Sequence, residues 1–289
     1  MSDRDAGSAL AFSARIDRVV AGLARQIPMI MVSIVALFPT YFLVTTALKD
    51  RSEYLVNKMG LPHSPTLANY VEILAKENFF VWIRNSAILT VGAVLVSIVV
   101  AALASYAFSR MKFRGKEAIF NSLVSLMIVP PILMLVPLFV LMARLRLINT
   151  YPGTVIIYVG TLLPFSIYLL ARFFEAIPQE LMDAAFIDGC SSLQVLTKII
   201  VPLSRPALIT LGVVNAFYVW NELLVALVFM QHDDLKTLMV GVTLFSGYRS
   251  RNIPLIMAGL VLSALPVVAL YIVGQQYFLR GLTAGALRE

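Results

Sequence analysis

A chain of 289 residues that is 60% hydrophobic and only 13% charged, with a mean hydropathy of +0.86, falls outside the soluble globular class, which runs at about 45–50% apolar and about 25% charged. The formal charge of +7 does not point to nucleic acid, because the basic residues gather at the ends of apolar blocks, where topology determinants sit. The single cysteine, Cys190, excludes an internal disulfide or a cysteine-rich metal centre, and His63 and His232 lie too far apart in sequence for a histidine-based one.

Residues 1–26 are polar and lack the pattern of a cleavable signal peptide. Ile16, Val19, Val20 and Leu23 fall at helical spacing opposite Arg15, Arg18 and Arg25, which predicts either a short amphipathic helix on the membrane surface or a basic tail. Six spans follow within residues 27–279, at roughly 27–48, 87–109, 118–142 (interrupted at Pro130-Pro131), 153–174, 206–230 and 254–279. Pro39 predicts a kink in the first span, and Pro130-Pro131 predicts one in the third. Arg4, Arg15, Arg18 and Arg25 before the first span, with Arg110, Lys112, Arg114 and Lys116 after the second, place those segments and both termini in the cytoplasm. Arg144 and Arg146 then lie in an outward loop, a mild exception. Residues 49–81 and 231–252 face outward and are long enough to fold, while 175–205 and the tail 280–289 face inward. No internal repeat marks the halves, as it does in many ion-driven transporters.

No phosphate loop, G-x-S-x-G elbow or H-E-x-x-H motif occurs, so the chain is predicted not to be an enzyme. Any work it does draws on energy from a partner. The informative stretch is PQELMDAAFIDGCSSLQVLTKIIVP, Pro178 to Pro202. Pro178 suits the first turn of a helix, where its missing N–H has no partner to lose. Glu180 and Asp183 lie toward the positive end of the helix dipole, Ala184 and Ala185 are strong helix formers, and Gly189 fits a left-handed stop. A helix of about ten residues results, with small residues that let another surface approach its backbone. That suits docking better than catalysis.

The run Asp183-Ala184-Ala185, then Gly189, then Ile199, Val201 and Pro202 resembles the EAA loop of ABC importer permeases, with Asp183 for the usual Glu and Val201 for the usual Leu. Leu67-Ala68-Asn69-Tyr70, Asn85-Ser86, Ser105 to Arg110, Pro178 to Leu181, Ile187-Asp188-Gly189, Trp220-Asn221-Glu222 and Gln276 to Thr283 are similar to permeases of the maltose type. The end of the tail, Gly285 to Glu289, departs from that family's pattern.

The resemblance implies an all-α membrane protein with the six-helix type I importer fold, in a bacterial or archaeal cytoplasmic membrane. It implies a sugar importer, with disaccharides and oligosaccharides as the typical solutes. The implied partners are a second permease, two cytoplasmic ATPase subunits and an external solute-binding protein. ATP and Mg are then held by the ATPases, with no cofactor on this chain. Glu180, Asp183, Ala184, Ala185, Asp188, Gly189, Ile199 and Pro202 are expected to couple to the ATPase, and Thr243, Ser246, Gly247 and Tyr248 to meet the binding protein. Asn215, Tyr218, Trp220, Asn221 and Glu222 put polar and aromatic groups in or near the fifth span. They read either as a sugar pathway or as an interfacial belt in which Glu222 reaches outward or pairs with a neighbouring helix. Two other readings stand beside this one: a self-contained ion-driven transporter, and an ABC permease for a phosphorylated or non-sugar solute.

Overall fold

The computed structural model describes residues 26–75, 78–244 and 252–286, with side chains up to 272. The amphipathic segment expected before residue 26 lies outside the described residues, as do Ser246, Gly247, Tyr248 and the last residues of the tail. Among the described residues the regular structure is helical and no strand occurs.

The first helix, α1 (Gln26–Ala47), is apolar on all sides and exposed along most of its length. A helix hydrophobic all round is built for lipid or for other membrane helices. Only its end is enclosed, at Thr45, Thr46 and Ala47. Two short helices follow in the segment 49–81, α2 (Arg51–Val56) and α3 (Ala68–Leu74). Then comes α4 (Phe79–Arg110), which at 32 residues is about 48 Å long and overshoots a hydrocarbon core of about 30 Å. Its extra turns, Phe79 to Ser86, were missed by hydropathy because Arg84, Asn85 and Ser86 interrupt the apolar run, whereas backbone hydrogen bonding does not register that interruption.

The third predicted span is two helices, α5 (Lys116–Ser125, continued by a 3-10 turn to Ile128) and α6 (Pro131–Arg144), which meet at 105°. Val129 and Pro130 are both extended, since a residue before proline is pushed out of the helical region, and Pro131 opens the new helix. The double proline therefore makes a corner, sharper than a kink. α7 (Tyr151–Glu175) starts at Thr150, whose Oγ1 accepts the Gly153 N–H at 3.1 Å. The loop from α7 to the next span holds α8 (Gln179–Ile187) and α9 (Ser192–Leu203). The chain then turns by 79° into α10 (Arg205–Asn221). The fifth predicted span stops at Asn221 and resumes as α11 (Leu224–Phe229). A short helix, α12 (Leu238–Leu244), follows, and α13 (Ile253–Ala286) closes the described chain.

Among the described residues four helices are long and apolar enough to cross a membrane, and up to six crossings result when each bent pair is one span. The core is a junction of α4, α7 and α10. At its centre Asn215 donates from Nδ2 to Ser97 Oγ at 3.3 Å and to Ser166 Oγ at 3.1 Å, one residue from each neighbouring helix. Beside it α13 packs on α10, fixed by the Trp220 indole N–H donating to Ser263 O at 3.1 Å.

Candidate functional site

The loop between α7 and α10 is itself part of the core. Met182 is 1% exposed and Ala185 6%, and both join a cluster with Ala101, Tyr106 and Phe108 of α4, Leu170 and Phe174 of α7, and Ile200, Ala207 and Leu211 farther on. The opposite face of α8 is open: Glu180, Asp183 and Ala184 are exposed, with Leu181, Phe186 and Ile187, the last 86% exposed. Of the two alanines expected on a docking face, Ala184 is outward and Ala185 packs inward, because positions 182 and 185 share one face of a helix. Leu193 at the start of α9 extends the exposed apolar strip.

Local rules build this element. Pro178 stands just before the helix as its cap residue, and Glu180 sits in the first turn. Gly189 has φ +81°, and two bonds close the end: Gly189 N–H donates to Phe186 O at 3.1 Å and Cys190 N–H to Ala185 O at 2.9 Å. This is the Schellman arrangement, which uses the left-handed residue to satisfy terminal carbonyls. Asp188 caps the end and is exposed. Ser191 then opens α9 with a reciprocal capping box to Gln194. Within α9 the turn Leu196–Ile200 widens to π geometry just before Pro202, whose ring cannot fit against the carbonyl four residues back. Ile199 and Pro202 are half-buried there, and Ile199 packs on the shared cluster.

Arg110, at the last turn of α4, grips the loop's start. Its Nη1 donates to Gln179 Oε1 at 3.0 Å, and its Nη2 donates to the carbonyls of Phe174 and Ile177. The Gln179 amide in turn donates to Asp183 Oδ1 at 2.9 Å. A cation at the C-terminal end of α7 meets both the orphan carbonyls and the negative end of the dipole. Sequence reading took Arg110 as a topology charge and as the end of a family-like stretch; its partners lie more than 60 positions away, beyond any local pattern.

The polar residues of the fifth span do not converge on one cavity. Asn215 is buried in the three-helix junction and Trp220 faces α13. Asn221 is exposed and donates to Phe217 O at 2.8 Å. Tyr218 lines an almost wholly aliphatic cavity of about 460 Å³ walled by α5, α6 and α7, among them Leu126, Met134, Leu138 and Ile157. Glu222 caps α11: Oε1 accepts from Leu224 N–H at 2.8 Å and Val225 N–H at 3.0 Å, while Oε2 accepts from Ala226 N–H at 3.2 Å and from Tyr158 Oη–H at 3.1 Å. Of the readings open for this carboxylate, pairing with a neighbouring helix is the one its geometry matches.

Residues 93–283 match the family model of the binding-protein-dependent transport system inner membrane component. The chain belongs to that family. A sulfoquinovosyl glycerol transport system permease protein of Agrobacterium fabrum is 34% identical over 253 residues, covering 87% of this chain and 89% of that one. A trehalose/maltose transport system permease protein of Thermococcus litoralis is 34% identical over 263 residues, covering 90% and 94%. In three dimensions this permease resembles a chain of a bacterial ABC transporter involved in the import of the acidic polysaccharide alginate, with a TM-score of 0.80, 24% identity, and coverage of 91% of this chain and 98% of that one. The all-α importer fold and the multi-pass membrane character are thereby established.

The end of the bundle at the start of α4 is a built platform. Asn85 is fully buried; its Nδ2 donates to Asp234 O and Lys236 O, each at 2.9 Å, and its Oδ1 accepts from Tyr151 Oη–H at 2.7 Å. Ser86 Oγ accepts from Leu238 N–H at 2.9 Å. Asn149 Oδ1 accepts from the Gln231 N–H at 2.6 Å. Gly241 of α12 lies on the Trp82 ring, where an added Cβ would come within 2.2 Å. Thr243, expected to meet the binding protein, is exposed at the end of α12. After α1 Lys49 is fully buried, and its ammonium donates to the carbonyls of Asn57 at 2.8 Å, Lys58 at 3.4 Å and Gly60 at 2.6 Å. Asn69, within the stretch similar to the maltose type, donates to Ala47 O at 2.9 Å and Lys49 O at 2.8 Å.

Proposed function

We propose that this chain is the permease subunit of an ATP-driven, binding-protein-dependent sugar importer taking disaccharides or oligosaccharides. It forms half of the translocation pathway beside a second permease, carries no catalytic centre, and couples to one of two cytoplasmic ATPases through α8. ATP and Mg reside on those ATPases. The assembly sits in a bacterial or archaeal cytoplasmic membrane with both termini of this chain inside. The observation that carries the reading is the division of α8 into two faces. Met182 and Ala185 lock it to the bundle, while Leu181, Phe186, Ile187 and the carboxylates of Glu180 and Asp183 are left outward. An apolar strip rimmed by acids fits a groove with basic edges.

The sugar class rests on the trehalose/maltose and sulfoquinovosyl glycerol relatives. An ion-driven transporter needs a carboxylate in the spans open to the ion, and Glu222 already accepts from four protein donors, so that alternative loses its best candidate. The test is reconstitution with the ATPase and binding protein encoded beside the gene. Asp183→Lys and Ile187→Asp should each detach the ATPase and stop uptake, with the bundle still folded. Retention of ATPase association and uptake in both variants would refute the assignment of α8.

A further inference from the structure

α4 touches both candidate docking regions. At its outer end Asn85 and Ser86 hold the backbone of the outward loop at Asp234, Lys236 and Leu238. At its inner end Arg110 holds Gln179, whose amide reaches Asp183 on α8. The two residues stand 25 positions apart on one uninterrupted helix, a separation of about 38 Å at 1.5 Å per residue. No proline lies within α4, in contrast to α6, α7 and α13.

α4 is also tied to α7 at three levels. Tyr151, in the first turn of α7, donates to Asn85 Oδ1 at 2.7 Å. Ser105 Oγ donates to Ile167 O at 3.0 Å within the buried core. Arg110 binds the Phe174 and Ile177 carbonyls at the far end. Between these ties Leu89 and Ala93 pack with Ile157 and Leu162, and Ala101 and Ala102 with Ile167 and Leu170. Two helices pinned at both ends and packed between cannot bend or slide independently without breaking buried hydrogen bonds.

We propose that α4 and α7 form a single strut through which the segment 231–238 and the coupling helix α8 move together, with Asn85 and Arg110 as the positioning residues at its two ends. The proposal rests on the function given above and adds the route by which an event at the binding protein reaches the ATPase. Each end uses backbone carbonyls as its grip, so the motion of the helix is delivered to the main chain of both loops.

The experiment is a double-mutant cycle on the reconstituted complex with its ATPase and binding protein, reading the ratio of binding-protein-stimulated to basal ATP hydrolysis. Asn85→Ala and Arg110→Gln should each lower that ratio roughly tenfold, the size of one lost group of buried hydrogen bonds, with the complex still assembled by gel filtration. Arg110→Lys keeps a cation at the α7 carbonyls and should recover part of the ratio. If Asn85→Ala fails to assemble, Tyr151→Phe, which removes a single hydroxyl, tests the outer end. In one strut the second break adds little, so a double variant falling clearly short of the product of the single losses supports the proposal. Losses that multiply, or single variants with unchanged ratios, overturn it. A wild-type complex that shows no stimulation at all would instead count against the proposed function, so the two failures are distinguishable.

Discussion

Gly189→Ala isolates the backbone requirement at the end of α8. A Cβ built at this position meets nothing within 4 Å, so the substitution creates no clash. What remains is the φ of +81°, a left-handed conformation that costs an L-residue roughly 1–2 kcal/mol. The penalty falls on the two bonds that close the helix, from Gly189 N–H to Phe186 O and from Cys190 N–H to Ala185 O. An energy of that size changes a local opening equilibrium by about 5- to 30-fold. Hydrogen exchange on the complex in nanodiscs should therefore show the Gly189 and Cys190 amides exchanging about 5- to 30-fold faster, while the α4 and α7 amides are unchanged. Gly189→Asn should show a smaller acceleration, because asparagine tolerates the left-handed region better. ATPase association should weaken in the same order, alanine more than asparagine. Exchange in Gly189→Ala equal to wild type would refute the claim that the left-handed turn ends α8.

Gly241→Ala should lower stability in detergent by about 1–3 kcal/mol, since its methyl group would overlap the Trp82 ring; an unchanged melting temperature would contradict the close packing of α12. Glu222→Gln weakens the cap of α11 by about 0.5–2 kcal/mol and should leave uptake running, whereas collapse of uptake in an assembled complex would give the carboxylate a transport role. Asn221→Ala should raise the half-saturating sugar concentration about fivefold, the value of one hydrogen bond, if this exposed amide meets the solute; an unchanged value removes Asn221 from the pathway. The outward segment should loosen in acid. The His63 backbone N–H donates to Glu53 Oε1 at 2.6 Å and holds that carboxyl below its usual range, and the Glu53 N–H does the same for Asp50. A lowered folded pKa contributes stability that is complete above the ordinary value and is lost as pH falls through the folded one. Pepsin cleavage between residues 50 and 66 should thus rise as pH drops from about 5 to about 3, and Glu53→Gln should flatten that step.

The elements best read from sequence are those set by local rules. The apolar blocks were legible because a bilayer selects length and composition, and α8 was legible because Pro178, Glu180 and Gly189 each act within one turn. The corner at Pro130-Pro131 was legible as an interruption but not as 105°, since an angle is fixed by what the two arms pack against. The stop at Asn221 was hidden because a single Glu in an apolar run does not announce that it is capping a new helix. Ala185 was assigned outward because a sequence gives helical spacing without saying which face the bundle covers.

The least legible residues share one physical cause. Asn69, Asn85, Arg110 and Glu222 were read as charges, as parts of a motif or as groups for a solute, yet each is bonded to main-chain atoms. Every helix that ends or breaks leaves four backbone groups without partners, and each one buried away from water costs about 1–3 kcal/mol. This chain has many short and broken helices, so it needs polar side chains from distant elements to complete them. Those long-range bonds tie α4 to both loops. The same accounting constrains transport. Asn215, Trp220, Asn221 and Glu222 all have hydrogen-bond partners within the chain, so the polar side chains of the fifth span have little capacity left for a solute.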